Sequence, residues 1–189
     1  MTEELKTKNF ATIKRYLISL VGGKETETLI AELGGEGKIT DATFGMTTDS
    51  GSAYDGAFGA NVLNIAEIAK KINAILPQEK QADVKSIYKV AILQHISKVI
   101  MYEKNDNDWE VQKRGILYKF NNFDTALRGG ERSLLFIMRC GIQLTEDEFE
   151  AIRILDKQKD DDTYSRIYSS PLSVVIRQAN EINTLINRE

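Results

Sequence analysis

Apolar residues recur at helical spacing along most of this chain. Leu5, Phe10, Ile13, Leu17 and Leu20 alternate with charged residues over the first 20 positions, and Gly22 and Gly23 end that helix. A shorter helix is read over 25–33, closed by Gly34 and Gly35. Residues 34–56, rich in Gly, Thr, Ser and Asp, read as a loop, and so long an irregular stretch is more often functional than idle. Ile65, Ile68, Ala69, Ile72, Ile75 and Leu76 mark a helix over 56–76 that Pro77 ends. A second long helix is expected over 81–102, with Val84, Tyr88, Ala91, His95 and Val99 on one face. After a turn at 105–108, the segments 109–111 and 115–120 suggest a small hairpin. Residues 131–139 are apolar enough for a buried helix, and Thr145 with Glu148 forms a capping box that starts another, running to about residue 157. Residues 160–162 read as a solvated acidic loop. Ser170 followed by Pro171 opens the last helix, whose stripe is Leu172, Val175, Ile176, Ala179, Ile182 and Ile186. The expected fold is all-α with a small β-hairpin near 109–120. Residues 1–40 form an N-terminal helical extension and 41–189 the main domain, the two making one compact unit.

Composition narrows the function classes. The chain has 189 residues, 42% hydrophobic and 28% charged, enough for a core. The formal net charge is −3 and no Lys/Arg run exceeds two, which argues against nucleic acid. Cys140 is the single cysteine, so no disulfide forms within the chain and a cytoplasmic protein is the simpler reading. The first ten residues lack the apolar stretch of a signal peptide, and the longest apolar runs, such as 134–138, are too short to span a membrane.

Three tempting motifs fail. Residues 35–40 suggest a phosphate loop, but Glu32 and Ile39 stand where a glycine and a hydroxyl residue are needed. One Cys and one His cannot build a structural zinc site. A Ser-His-Asp triad would need His95, which lies in an apolar stretch without a nucleophile motif. Cys140 reads as a buried thiol and Trp109 as a cover over the core.

Five segments, in order, carry a family resemblance. Residues 48–65 resemble a stretch of HD-domain hydrolases, with Tyr54, Asp55, Gly56, Leu63 and Asn64 where that pattern expects them. Residues 93–98 are similar to the His-Asp motif that names the family. Residues 128–133, 145–153 and 178–184 resemble its later motifs. The resemblance covers about 44–186 and is closest to HD proteins of phages and mobile elements. It implies a phosphodiesterase-like helical bundle and a divalent metal that activates water against a phosphate ester. In this chain the family's ligand positions read Asn61, His95, Ile96 and Asn180, and its accessory histidines are Gly129 and Leu155. Only His95 survives of the four core ligands.

Isoleucine has no lone pair, and a neutral amide is a poor substitute for a carboxylate or imidazole toward a transition metal. With both anionic ligands gone, no metal and no other cofactor is expected. Asn61 and Asn180 are expected to hydrogen-bond to each other or to His95, turning the old site into a neutral cluster. His95 itself reads as a satisfied core residue. Tyr54, Asp55, Glu131, Arg132, Ser133 and Arg153 also match the family. They suggest a leftover phosphate or ligand pocket, with Arg132 and Arg153 as anion contacts. The plainer alternative is that Glu131 favours a helix dipole and Arg153 pairs with a carboxylate such as Glu150. Three readings of function follow. The first is a non-catalytic, HD-like binding or regulatory module for a protein or nucleotide partner. The second is a phosphohydrolase with an unusual metal site, built from His95 with Asp49, Asp55 or Asp156. The third is a structural subunit that forms homo-oligomers through its long helices.

Overall fold

The computed structural model describes residues 1–155 and 170–188. Within them the chain is predominantly α-helical. The helices are α1 (Glu3–Val21), α2 (Gly23–Glu32), α3 (Glu36–Asp41), α4 (Ala57–Ala74), α5 (Val84–Leu93), α6 (Lys98–Met101), α7 (Asp108–Arg114), α8 (Gly129–Arg139), α9 (Glu146–Arg153) and α10 (Pro171–Asn187). Two short strands, β1 (Tyr102–Lys104) and β2 (Tyr118–Phe120), pair antiparallel, with Tyr102 opposite Phe120.

Local chemistry sets the helix boundaries. Thr2 accepts a hydrogen bond from the backbone N–H of Leu5 at the start of α1, and Asp83 does the same from Ser86 for α5. The Thr145/Glu148 capping box opens α9 as the sequence predicts, and Ser170 with Pro171 opens α10. Gly56, at the start of α4, has φ +86°, and a Cβ there would come within 2.5 Å of the Lys6 side chain. Glycine is required for that turn to close against α1.

The core gathers one face from nearly every helix. Phe58, Val62, Ile65, Ala66 and Ala69 of α4 meet Ile87, Val90 and Ala91 of α5 and Leu172, Val175, Ile176 and Ala179 of α10. Phe10, Ile13 and Leu17 of α1 and Leu29 and Ile30 of α2 belong to the same cluster. Burying a side chain such as Ile13 or Leu29 contributes roughly 1.5–3 kcal/mol, so the N-terminal helices share in the core. Asn61 near the start of α4 bonds to Asn183 and Asn187 near the end of α10, so those two helices run antiparallel.

The structure departs from the sequence expectations in several places. The stretch 34–56 contains α3 and a 3-10 turn at Thr48–Ser50, so only part of it is loop. The expected hairpin at 109–120 keeps its second strand alone. Its first strand is 102–104, because Asn107 caps the backbone N–H groups of Trp109 and Glu110 and starts α7 there. Trp109 is 61% exposed and covers no core. Ile182 and Ile186 are exposed, and the last two turns of α10 present Asn180, Asn183 and Asn187 inward instead. The helix expected over 81–102 breaks after Leu93. The helix expected from Thr145 to about residue 157 already ends at Arg153, and the expected acidic loop 160–162 and Asp156 lie outside the described residues.

Candidate functional site

The break in the α5–α6 rod creates the site. Ser133 of α8 reaches across to it. The Ser133 hydroxyl donates to the Gln94 carbonyl oxygen (2.9 Å), and its oxygen accepts from the Ser97 backbone N–H (3.2 Å). Both backbone groups would otherwise serve the i to i+4 helix ladder. Without them the chain tightens: Lys98 N–H turns to the His95 carbonyl (2.9 Å) and Val99 N–H to that of Ile96 (3.2 Å). The tight turn aims His95 and Gln94 at α10, while Ile96 points into the core at 1% exposure.

Two amide clusters line the contact with α10. In the first, Asn180 donates to the Ile176 carbonyl and the Gln94 side-chain oxygen (both 3.0 Å). Those donations fix the amide orientation, so its oxygen faces His95 Nε2 at 2.8 Å. Nε2 therefore carries the proton, and Nδ1 is left as an acceptor. The Phe44 ring meets the imidazole edge-on, with centroids 4.8 Å apart. Burial and then the nearby Lys98 charge push the His95 pKa down to about 3, against a smaller upward pull from the Asn180 bond. The imidazole is neutral at physiological pH.

In the second cluster, Asn61 donates to the Ala57 carbonyl, and its oxygen accepts from Asn183 and Asn187 (all 2.8 Å). Asn64 donates in turn to Asn183 (2.8 Å). Asn61 thus joins residues one and two turns beyond Asn180, and the single network expected between Asn61, His95 and Asn180 is two. Sequence reasoning named Asn64 only as a match to the family pattern and gave no role to Gln94, Asn183 or Asn187. For the last two the signal was the asparagine spacing of three and four over 180–187, which puts polar amides on the face that packs inward.

Above these clusters lies a groove with two basins. The first, of about 590 Å³, is lined by His95, Lys98, Phe44, Tyr102, Arg128 and Asn180 among others, and both accessory positions, Gly129 and Leu155, border it. The second, of about 740 Å³, is lined by Asn61, Asp49 and Arg188, and it shares Phe44, Lys98, Tyr102, Asn183 and Thr184 with the first. These sizes match ordinary small-molecule sites. The 44–52 loop walls the second basin. It is held by backbone contact, since a Cβ on Gly51 would lie 1.5 Å from the Asn187 carbonyl oxygen. Lys98 donates to the Phe44 carbonyl (2.9 Å) and lies 4.4 Å from the Phe44 ring centroid.

The other residues singled out from the sequence scatter around the molecule. Tyr54 is 37% exposed and borders neither basin. Asp55 accepts from Lys104 (2.8 Å) and Tyr118 (2.6 Å) in a separate cleft beside α3. Burial would raise its carboxyl pKa, but bonds from Lys104 and Tyr118 and the charges of Lys104 and Lys6 together hold it below the ordinary value. Glu131 closes the first turn of α8, accepting from the Arg128 N–H (2.9 Å). Arg132 is buried at 6% exposure, donates to the Thr125 carbonyl (3.0 Å) and stacks 3.8 Å from the Phe123 ring centroid, while its Nε meets no acceptor. Arg153 is exposed beside a shallow cleft with Phe149 and Glu150. The Glu150 carboxylate accepts from the Ser170 N–H (3.2 Å) and the Ser173 hydroxyl (2.8 Å). The five residues Tyr54, Asp55, Glu131, Arg132 and Arg153 therefore form no common pocket.

The donor set does not fit the metal that the family resemblance implies. The polar atoms at Asn61 and Asn180 are engaged with protein partners, Ile96 is core, and His95, whose Nε2 bears a proton, has Nδ1 alone to offer. Among the described residues no group of three or more His, Cys, Asp and Glu side chains is placed to hold an ion. No described helix is long and apolar enough to cross a membrane. Comparison with family models, curated proteins and solved structures returned no match.

Proposed function

We propose that this chain is a non-catalytic binding or regulatory module on an HD-like helical bundle, whose groove takes its ligand without a metal. One observation carries the reading. The positions equivalent to the family's ligands, Asn61, His95, Ile96 and Asn180, are all neutral and committed to each other's neighbours or to the core. Forcing a divalent cation into that half-dry floor would break several satisfied hydrogen bonds with no anionic ligand in return. The buried single thiol of Cys140 suits a reducing, cytoplasmic setting.

The test is metal content by mass spectrometry on protein purified without a histidine tag, with melting curves in manganese and magnesium. Substoichiometric metal and an unchanged midpoint are expected. A stoichiometric, midpoint-raising metal would make the chain a phosphohydrolase with a rebuilt site. A second reading, a structural subunit, draws on the exposed Ile182, Leu185 and Ile186 of α10. A mass in solution that rises with concentration and falls on Leu185→Glu would favour it.

A further inference from the structure

His95 is the single histidine of the chain, and its surroundings hold the ring in one charge state and one tautomer. Asn180 spends its amide hydrogens on the Ile176 carbonyl and the Gln94 side-chain oxygen (both 3.0 Å), so an oxygen faces Nε2 at 2.8 Å. That contact requires the ring proton on Nε2 and leaves a lone pair on Nδ1. Burial and the Lys98 charge keep a second proton off the ring at neutral pH. Among the described residues the bond to Asn180 is the one hydrogen bond that the imidazole makes. Arg132 Nε is the one side-chain nitrogen or oxygen among them that is sealed from solvent without a partner, so Nδ1 keeps some open surface. His95 is 8% exposed, and the cavity it borders is the first basin. Nδ1 is therefore a fixed, unspent acceptor at the bottom of that basin. Neighbouring polar groups are committed: the hydroxyls of Ser97 and Thr184 donate to the carbonyls of Gly129 and Asn180 (both 2.9 Å). Met101, Phe120 and Leu155 supply apolar wall.

We propose that the first basin binds a neutral phenol, whose hydroxyl donates to His95 Nδ1 and whose ring lies along Met101, Phe120 and Leu155. The proposal rests on the metal-free binding reading above and names the ligand class for it. The acceptor selects the head group. A carboxylate has no proton to give and would set lone pair against lone pair. A cation would be brought up against the nearby Lys98 charge. An aliphatic alcohol donates no better than the water it displaces, whereas a phenol is more acidic and donates more strongly, and only that surplus adds affinity. The wall selects the body, since an aromatic ring buries apolar area without asking for further polar partners. No bond from Lys98, Tyr102 or Arg128 is needed, each being engaged with other groups.

The experiment observes the imidazole directly by nitrogen NMR, on the full chain carrying isotope-labelled histidine and no histidine tag. Without ligand, the spectrum should show a neutral ring with its proton on Nε2. Titration with β-naphthol should move the Nδ1 resonance upfield to a saturating value, the direction that a donated hydrogen bond produces. The methyl ether of β-naphthol, with the same rings and no donor, should leave Nδ1 in place. By equilibrium dialysis β-naphthol should bind about fivefold more tightly than the ether, the order expected for one hydrogen bond. His95→Phe, verified as folded by circular dichroism, should bind the two equally. If that variant does not fold, the resonance of the parent chain still decides. A starting spectrum with the proton on Nδ1, or on both nitrogens, would overturn the proposal. So would the absence of β-naphthol binding, an Nδ1 shift that the ether reproduces, equal affinities in the parent, or a preference for β-naphthol that survives in His95→Phe. Each of those failures leaves the metal-free reading standing. That reading fails separately, on a stoichiometric metal.

Discussion

Helix α5 meets two neighbours through buried polar groups, and it does so by opposite means. Toward α9 the contact is ionic. Lys89 and Glu148 pair at 2.7 Å with side chains 13% and 4% exposed, and Glu148 also accepts from the Ser86 hydroxyl (2.8 Å) and from the Thr145 N–H that it caps (3.0 Å). At its C-terminal end, toward α10, the contact is neutral: Gln94, His95 and Asn180 exchange hydrogen bonds without a formal charge. An ionic contact needs its counter-ion at all times, because an orphaned buried charge is far costlier than an orphaned amide. A neutral contact tolerates loss better, yet it also gives a cation nothing to bind. The difference explains how a floor built from His95 and six carboxamides can be well packed and chemically quiet.

The largest expected effect tests the ionic side. Glu148→Gln should destabilise the fold by about 3 kcal/mol in urea unfolding, since it leaves the Lys89 charge without a counter-ion and with the Gln143 carbonyl as its remaining partner. A loss under about 1 kcal/mol would mean that the pair is held no more tightly than a surface pair. Next comes the neutral side. Asn183→Ala removes the acceptor of Asn64 and one of the two amide donors to Asn61, and should cost about 1–3 kcal/mol while leaving the α5–α9 contact intact.

The third prediction uses pH. His95 has an ordinary value of 6.5 and is pushed down to about 3 in the fold. As pH falls below 6.5 the unfolded chain takes up a proton that the folded chain refuses until about pH 3, so this group lowers stability on acidification. The slope is about 1.4 kcal/mol per pH unit, or roughly 2 kcal/mol by pH 5. His95→Gln should lose that portion, so its stability should fall less than the parent's between pH 7 and 5. Equal falls would show that the imidazole is more hydrated than its packing indicates. The smallest effect is at Arg132, a buried guanidinium with a ring and a carbonyl as partners. Arg132→Met should change stability by less than about 1 kcal/mol, because it trades an under-satisfied charge for apolar packing against Phe123.

Much of the framework was legible in the sequence. The caps at Thr145 and Ser170 and most of the apolar spacing of α1, α4 and α5 are local signals that survive folding, although Leu5, Ile75 and Val84, at or near the helix ends, are exposed. The hairpin was half legible: the strand 118–120 reads correctly, but Asn107 outcompetes the β pattern at 109–111 by capping a helix. The break after Leu93 was illegible because its cause, Ser133, lies 39 residues from Gln94 in sequence. The exposed Ile182 and Ile186 misled for a related reason. Apolarity marks a buried face only where the neighbour is apolar, and at this end of α10 the neighbour presents Asn61 and Asn64. Within the groove, His95, Asn61 and Asn180 were visible through the resemblance. Arg188 was not, since a single cation just past the end of a helix carries no pattern, whereas Lys98 falls within the motif-like segment 93–98.

Gly51 sets a practical limit on handling this protein. Because the 44–52 loop leans on the carbonyl of Asn187 with no room for a side chain, the width of the second basin is fixed by the final turn of α10. Trimming the chain back to residue 184 would remove little of the core, which along α10 ends with Ala179. It would nevertheless take away the stop that holds the loop in place. Such a shortened chain should keep its helical spectrum and melt only somewhat lower, since Asn61 loses the Asn187 donor, while showing weaker or less selective uptake of a groove-bound probe. A well-folded variant with altered C-terminal residues is therefore poor evidence that the groove is intact.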